Sequence, residues 1–302
     1  MESIIKVKNL TKDYGMGRGV FNVSFDVRRG EVFGFLGPNG AGKTTAIRHL
    51  LGFSKPQSGS CEIAGMDCWK KPHEIQKMLG YIPGEIALPD SMTGWQFIKQ
   101  IADMRKIGLE RAQELCKYFG LNASGKLKRM SKGMKQKIAL VIALMHNADI
   151  LILDEPTSGL DPLMQARFCD YVAKLRQEGK TVLMSSHQFD EVEKTCDRVA
   201  IIKQGRIIAE VEMKEIEHKK EKEFEIRFKS KADFDKFIKN KYEFSETNPG
   251  KNRVKVIVHD DRINEFLADV ARYKVEYISE IKFTLEKYFM KYYNEEQKGE
   301  AQ

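Results

Sequence analysis

The stretch "GFLGPNGAGKTTAIRHLLG" runs from Gly34 to Gly52, and its reading decides the fold. An ordinary strand–helix turn uses one or two glycines and no lysine. Here Gly37, Gly40 and Gly42 lead directly into Lys43, Thr44 and Thr45. That is the G-x-x-x-x-G-K-[ST] spacing of a phosphate-binding loop, set between a short apolar strand and an apolar helix. Gly37, Pro38, Asn39, Gly40, Ala41 and Gly42 would curl so that successive backbone N–H groups point at an anion. The helix that follows from Thr44 adds the positive end of its dipole, with Thr45 beside it. Lys43 would reach the β- and γ-phosphates, and the Thr44 hydroxyl would ligate Mg²⁺.

A phosphate loop alone is common to many nucleotide enzymes, so its companions matter. "LILDEP" places Asp154 and Glu155 after a buried strand, at the carboxyl edge where such sheets bind ligands. Asp154 would hold Mg²⁺ through water, and Glu155 would face the attacking water. The strand "VLMSSH" ends in His187, within reach of the γ-phosphate and of that same water. "RMSKGMKQKIALVIALMH" puts Ser131 and Gly133 at the start of a long helix, whose free N–H groups make a second anion site. Taken by itself this segment is an ordinary capped helix. Between the phosphate loop and "LILDEP" it becomes the most discriminating marker in the chain.

The chain has 302 residues, 42 % hydrophobic and 31 % charged, which suits about two globular domains. No apolar run approaches the ~20 residues that span a bilayer. The N-terminus lacks the apolar core of a signal peptide. Five cysteines, scattered and without a C-x-x-C pair, read as reduced cytosolic thiols without metal. From Val211 onward 20 basic residues meet 20 acidic ones, so the whole net charge of +8 belongs to the first 210 positions. A basic half suits nucleic acid, or a domain that binds an anionic nucleotide near an anionic membrane face. Without a zinc-finger or aromatic-rich RNA-binding signature, the second is favoured and no nucleic acid is expected.

Strands alternating with helices predict an α/β domain over 1–211, with a mixed sheet and a helical subdomain at about 85–146. Asp161 caps a helix with Pro162 at its first position. "RVAIIKQGRIIAEV" predicts a hairpin turning at Gly205. The charged run 212–221 reads as a solvated connector. Residues 222–302 read as strand–helix–strand–helix–strand and a terminal helix through Leu285, Phe289 and Tyr292. That is a small α+β accessory domain of ferredoxin-like order. His259, Asp260 and Asp261 fit a turn at a helix start.

The order of motifs over about Glu2 to Val211 resembles the ATP-binding subunit of an ABC transporter. The resemblance makes "GPNGAGKT" the Walker A motif, "LILDE" the Walker B motif and His187 the switch histidine. "SGLD" (Ser158–Asp161) becomes the D-loop, which brings Asp161 to the nucleotide, and Tyr14 the aromatic residue that stacks on adenine. "MSKGM" is similar to the family signature LSGGQ, with Ser131 and Gly133 kept and Lys132 and Met134 replacing Gly and Gln. This variant and the closing "FTLEKYFMKYY" resemble the branch of bacitracin, daunorubicin and sodium exporters. One departure stands out: where the family carries Gln after a strand, this chain has Gly84 and then Glu85.

The resemblance implies two ATP-binding subunits, usually identical, that sandwich two ATP molecules between Walker A of one and the signature of the other. It also implies hydrolysis of water positioned by Glu155 and His187, and docking at the cytoplasmic membrane face on separate transmembrane permease subunits. The segment between Gly84 and the signature would make that contact. The rival class is a soluble ABC ATPase acting on ribosomes or nucleic acid. Such proteins usually carry two cassettes or a long coiled coil between the Walker motifs, and this chain has neither. A regulatory protein with a dead site would lack Lys43 or Glu155, and both are present.

Overall fold

Three short strands are buried at every position in the computed structural model, which describes residues 2–218 and 220–290. They are "VFGFL", "ILILD" and "TVLMSS", runs too uniformly apolar to lie on a surface and suited to a sheet covered on both faces. In chain order the first unit begins with β1 (Ser3–Asp13), β2 (Gly19–Arg28), β3 (Val32–Leu36) and α1 (Lys43–Leu50). Then come β4 (Ser58–Ile63), β5 (Met66–Asp67), α2 (Pro72–Met78) and β6 (Leu79–Ile82). Three helices follow: α3 (Gly94–Arg105), α4 (Glu110–Tyr118) and α5 (Lys132–Leu144). The unit continues through β7 (Ile150–Asp154), α6 (Pro162–Gln177), β8 (Thr181–Ser186) and α7 (Phe189–Thr195). A hairpin of β9 (Arg198–Lys203) and β10 (Arg206–Glu212) ends it.

The central sheet has the order β10-β9-β3-β8-β7-β6, parallel except for β10. A second sheet, β2-β1-β4-β5, is antiparallel. Side chains of both sheets and of α1 share one apolar core, in which Phe25 stacks on Phe33 at 5.5 Å between ring centroids. Each fully buried side chain of this kind contributes about 1.5–3 kcal/mol. Register fixes the functional edge: Leu36 lies opposite Ser186, and Asp154 opposite Ser185. The phosphate loop, the Asp-Glu pair and His187 therefore leave the sheet side by side. The helix starts are equally local: Thr93 and Gln96 form a reciprocal capping box on α3, Ser131 caps α5 and Asp161 caps α6.

The chain divides into two compact units, Met1–Met213 and Lys214–Gln302. Helix α8 (Met213–Glu217) begins at the division. The second unit contains β11 (Glu221–Phe228), α9 (Lys231–Phe237), β12 (Glu243–Asn248), β13 (Arg253–His259), α10 (Ile263–Val270) and β14 (Val275–Ile281). Its sheet is antiparallel in the order β12-β13-β11-β14. Ile226, Phe228, Val254 and Val256 form one sheet face and pack with Phe234, Phe237 and Phe266 of the two helices.

Two expectations are corrected. The run 212–221 is not wholly a solvated connector, because Met213–Glu217 is helical and buries Met213 and Ile216. Two apolar residues three apart suffice for one turn with a covered side. The second unit also has a strand more than predicted: β12 precedes "RVKVIVH", which gives β-α-β-β-α-β. "EFSETN" carries one apolar residue, Phe244, and as an edge strand it needs no more. Residues 285–290 are helical, whereas Tyr292 of the predicted terminal helix lies outside the described residues.

Candidate functional site

Glycine at two loop positions is dictated by contact. A Cβ on Gly37 would stand 2.3 Å from the Ile202 carbonyl oxygen, and one on Gly42 2.9 Å from that of Gly19. Gly42 also has φ +109, as the residue before α1, and Gly40 has φ +80. The loop is thus pressed between the start of β2 and the end of β9, while Pro38, Asn39 and Gly40 face solvent. Ala41 is buried, and its carbonyl accepts from the Gly205 N–H at 2.8 Å. Lys43, the first residue of α1, is only 5 % exposed and folds back over the loop. Its Nζ donates to the Gly37 carbonyl at 2.6 Å and to that of Pro38 at 3.2 Å. A cation held there by backbone carbonyls is poised for an anion that the loop amides also bind. Thr45 sits on the same turn, its carbonyl 2.8 Å from His49 Nδ1.

The acidic residues meet this loop from β7. Thr44 Oγ1 donates to Asp154 Oδ2 at 2.7 Å, and Ser185 Oγ donates to Asp154 Oδ1 at 2.5 Å. Asp154 is fully buried, so both carboxylate oxygens are held in fixed directions. Glu155 takes the left-handed conformation, φ +50, which costs a non-glycine residue about 1–3 kcal/mol. Its N–H donates to the Ser185 carbonyl at 3.2 Å and to Ser185 Oγ at 3.1 Å. The backbone turn aims its carboxylate into the site: Oε1 lies 3.1 Å from Lys43 Nζ and Oε2 2.7 Å from His187 Nδ1. Lys43, Thr44, Asp154, Glu155 and His187, spread over 145 residues of sequence, are one connected cluster. Strain kept at a charged cluster is characteristic of a working site.

The remaining predicted residues fall into two groups. Tyr14 is 54 % exposed, with Lys12 Nζ 5.6 Å from its ring centroid, and belongs to a turn closed by its N–H on the Arg18 carbonyl. Phe21, the other aromatic side chain nearby, is already covered by Gly205 and by the Arg206 guanidinium 5.5 Å from its centroid. Tyr14 is therefore the more exposed of the two rings. Ser131, Gly133 and Asp161 form the other group. Ser131 Oγ accepts from the Met134 N–H at 3.2 Å, and Asp161 Oδ1 from the Met164 N–H at 3.0 Å. Gly133 packs on the D-loop, where a Cβ would come within 2.6 Å of the Gly159 carbonyl oxygen. Lys132 Nζ donates to Ser158 Oγ at 2.9 Å, the second link between these segments. Among the described residues, no hydrogen bond or ion pair joins Ser131–Gly133 to Gly37–Thr45.

Sequence reasoning passed over three contributors. Ser185 fixes both Asp154 and the Glu155 peptide. Glu191 accepts from Ser186 Oγ at 2.5 Å, and Ser186 Oγ in turn receives the Gln188 N–H, which shapes the turn carrying His187. Burial holds the Glu191 carboxyl above the usual carboxylate range. Gln136 of α5 reaches the backbone just after Glu155. Gly84, which the sequence marks as a departure from the family's Gln, stands where a Cβ would lie 2.9 Å from Asp154 Oδ2, so the Asp154 carboxylate fills the space a larger residue needs. Nothing in the local sequence of Ser185, Glu191 or Gln136 announces a role, because each acts through a partner in another element.

A sequence profile described as ABC transporter matches residues 20–158. The uncharacterised ABC transporter ATP-binding protein YdbJ of Bacillus subtilis is 39 % identical over 225 residues, 73 % of each chain. The bacitracin transport ATP-binding protein BcrA of Enterococcus faecalis is 29 % identical over 300 residues, 96 % of each chain. Among solved structures, a dimeric ATP-binding cassette in a post-hydrolysis state with ADP and Pi is similar at a TM-score of 0.62. It shares 25 % identity and covers 69 % of this chain and 98 % of its own. The loop, the Asp-Glu pair and His187 are thus found together in a chain related along most of its length to ABC transporter ATP-binding proteins, and this protein belongs to the family of ATP-hydrolysing, ATP-binding subunits of ABC transporters.

Proposed function

We propose that this chain drives export by closing on ATP with a second copy of itself, at the cytoplasmic face of a membrane. The observation that carries the reading is the double engagement of Glu155, with Lys43 on one carboxylate oxygen and His187 on the other. A γ-phosphate entering the loop competes for Lys43 and leaves the Glu155 carboxylate on His187, facing the side from which water attacks. Glu155 then orients that water and accepts its proton, while His187 holds the carboxylate in place. Lys43 and the loop amides neutralise charge on the transferred group, so the work is positioning and electrostatics rather than covalent chemistry. Asp154 and Thr44 present a carboxylate and a hydroxyl side by side, the hard oxygen donors Mg²⁺ prefers. When bound, Mg²⁺ held by Thr44 and Asp154 would supply positive charge against the phosphates.

Tyr14 offers its exposed ring to adenine, and Asp161 orders the start of α6 beside the D-loop. The separation of Ser131 and Gly133 from the phosphate loop supports a second subunit, whose ATP they would contact. Among the described residues no helix is long and apolar enough to cross a membrane, so separate transmembrane subunits would carry the substrate. Export rests on relatives such as the bacitracin transport protein.

Complementation tests the sandwich. Ser131→Asp keeps a good helix cap but puts a carboxylate where a γ-phosphate would arrive. Alone, Ser131→Asp and Lys43→Ala subunits should each be inactive. Mixed, they concentrate both defects in one composite site and leave the other whole, so activity should return. A Ser131→Asp protein that hydrolyses ATP normally overturns the reading.

A further inference from the structure

Gln136 is the one buried side-chain amide of α5, 2 % exposed, and it lies one turn after the signature. Its Nε2 donates to the Pro156 carbonyl at 2.7 Å and approaches the Glu155 carbonyl at 3.4 Å. The backbone is therefore held at the Glu155 N–H by Ser185 of β8 and, just after it, at the Pro156 carbonyl and more weakly at the Glu155 carbonyl by Gln136 of α5. Between these two grips Glu155 keeps its left-handed backbone, and the direction of its carboxylate follows from that backbone. The same helix start holds the next residues as well, through Lys132 on Ser158 and Gly133 against Gly159. Residues 155–159 and the first turn of α5 thus form one piece.

We infer that Gln136 is a positioning residue for hydrolysis, which ties the backbone immediately after Glu155 to the start of α5 so that displacement of α5 moves the catalytic carboxylate. The inference rests on the proposed role of Glu155 and extends it. In an ATP-closed dimer the start of α5 meets the partner's nucleotide, whereas Glu155 acts on its own. Gln136 would then carry the state of one composite site to the other within a single chain. An amide suits that role chemically. It is neutral and donates without adding a charge beside Glu155, whereas a leucine of similar size would leave the Pro156 carbonyl buried and unpaired.

The test uses the full chain, with ATP affinity and turnover measured separately. Gln136→Leu should bind ATP like the wild type and lose about a hundredfold in kcat, the scale of a small misplacement of a reacting group. The ATP dependence of its rate should also be less sigmoidal than that of the wild type. Gln136→Glu supplies an independent readout, because a buried carboxyl donates to the Pro156 carbonyl only when protonated. Its kcat relative to wild type should climb as pH falls. Normal turnover in Gln136→Leu overturns the inference. If Gln136→Leu does not fold, a Gln136→Glu to wild-type ratio that stays flat with pH overturns it instead. The underlying reading fails separately: Glu155→Gln retaining turnover removes it whatever Gln136 does, whereas a dead Glu155→Gln beside a normal Gln136→Leu removes only the coupling.

Discussion

The two units bury different kinds of residue. Every buried polar or charged side chain among the described residues belongs to the first unit, and the buried side chains of the second are all apolar. In the first unit these groups sort further by sheet edge. Glu31, Lys180 and Arg198 sit where strands begin, and Arg198 pairs with Glu31 at 3.2 Å and Glu210 at 2.7 Å. Lys43, Gln136, Asp154, Ser185, Ser186 and Glu191 gather where strands end. Charge in the second unit is carried by an outer network in which Arg253 meets Glu225 and Glu246, and Lys255 meets Glu246. Burying polar groups costs stability unless each is matched. A fold that keeps so many at one edge concentrates its charge chemistry there.

Four substitutions put that difference between the units at risk. The largest effect should come from Glu155→Gln, which keeps shape and removes the acceptor. ATP turnover should fall by about a thousandfold, ~4 kcal/mol in barrier, while ATP binding persists and gel filtration with ATP shows a trapped dimer. Steady-state turnover within about tenfold of wild type would show that the buried cluster is structural. Next comes Phe237→Ala, at the centre of rings from Phe228, Tyr242 and Tyr273 at 5.0, 5.7 and 5.4 Å. It should cost the second unit about 3–5 kcal/mol in urea unfolding and leave ATP affinity unchanged. Parallel loss of affinity would mean that the apolar unit supports the site.

Tyr14→Ala should weaken ATP binding by about 1–3 kcal/mol, the scale of a base-stacking contact. The melting temperature should stay put, because the ring is exposed. An unchanged titration would move the adenine platform elsewhere. The smallest effect belongs to Glu191→Gln. Burial raises the Glu191 carboxyl, so its stabilising contribution is complete below the unfolded-state pKa and is lost as pH rises through the folded-state pKa. Wild-type stability should therefore decline with rising pH just above the ordinary carboxylate range. Glu191→Gln should flatten that slope and be the more stable protein at neutral pH. Equal slopes in urea titrations of the two proteins would show that this buried carboxyl does not weaken the fold.

Sequence alone determined whatever depends on neighbours in the chain. The phosphate loop is legible because a tight backbone turn needs glycines at fixed offsets, and a cap such as Asp161 because it serves an amide three residues on. The buried strands are legible because a short, uniformly apolar run belongs in the middle of a covered sheet. The extra strand β12 escaped because an edge strand shows one apolar residue in six. Only the tertiary structure decided which distant groups share a proton or a peptide. It set Glu155 between Lys43 and His187, put Ser185 on the Glu155 N–H and Gln136 on the Pro156 carbonyl that follows, and put Gly84 against Asp154. Such contacts depend on which strands lie adjacent and in what register, a property of the closed sheet that no local pattern of residues carries.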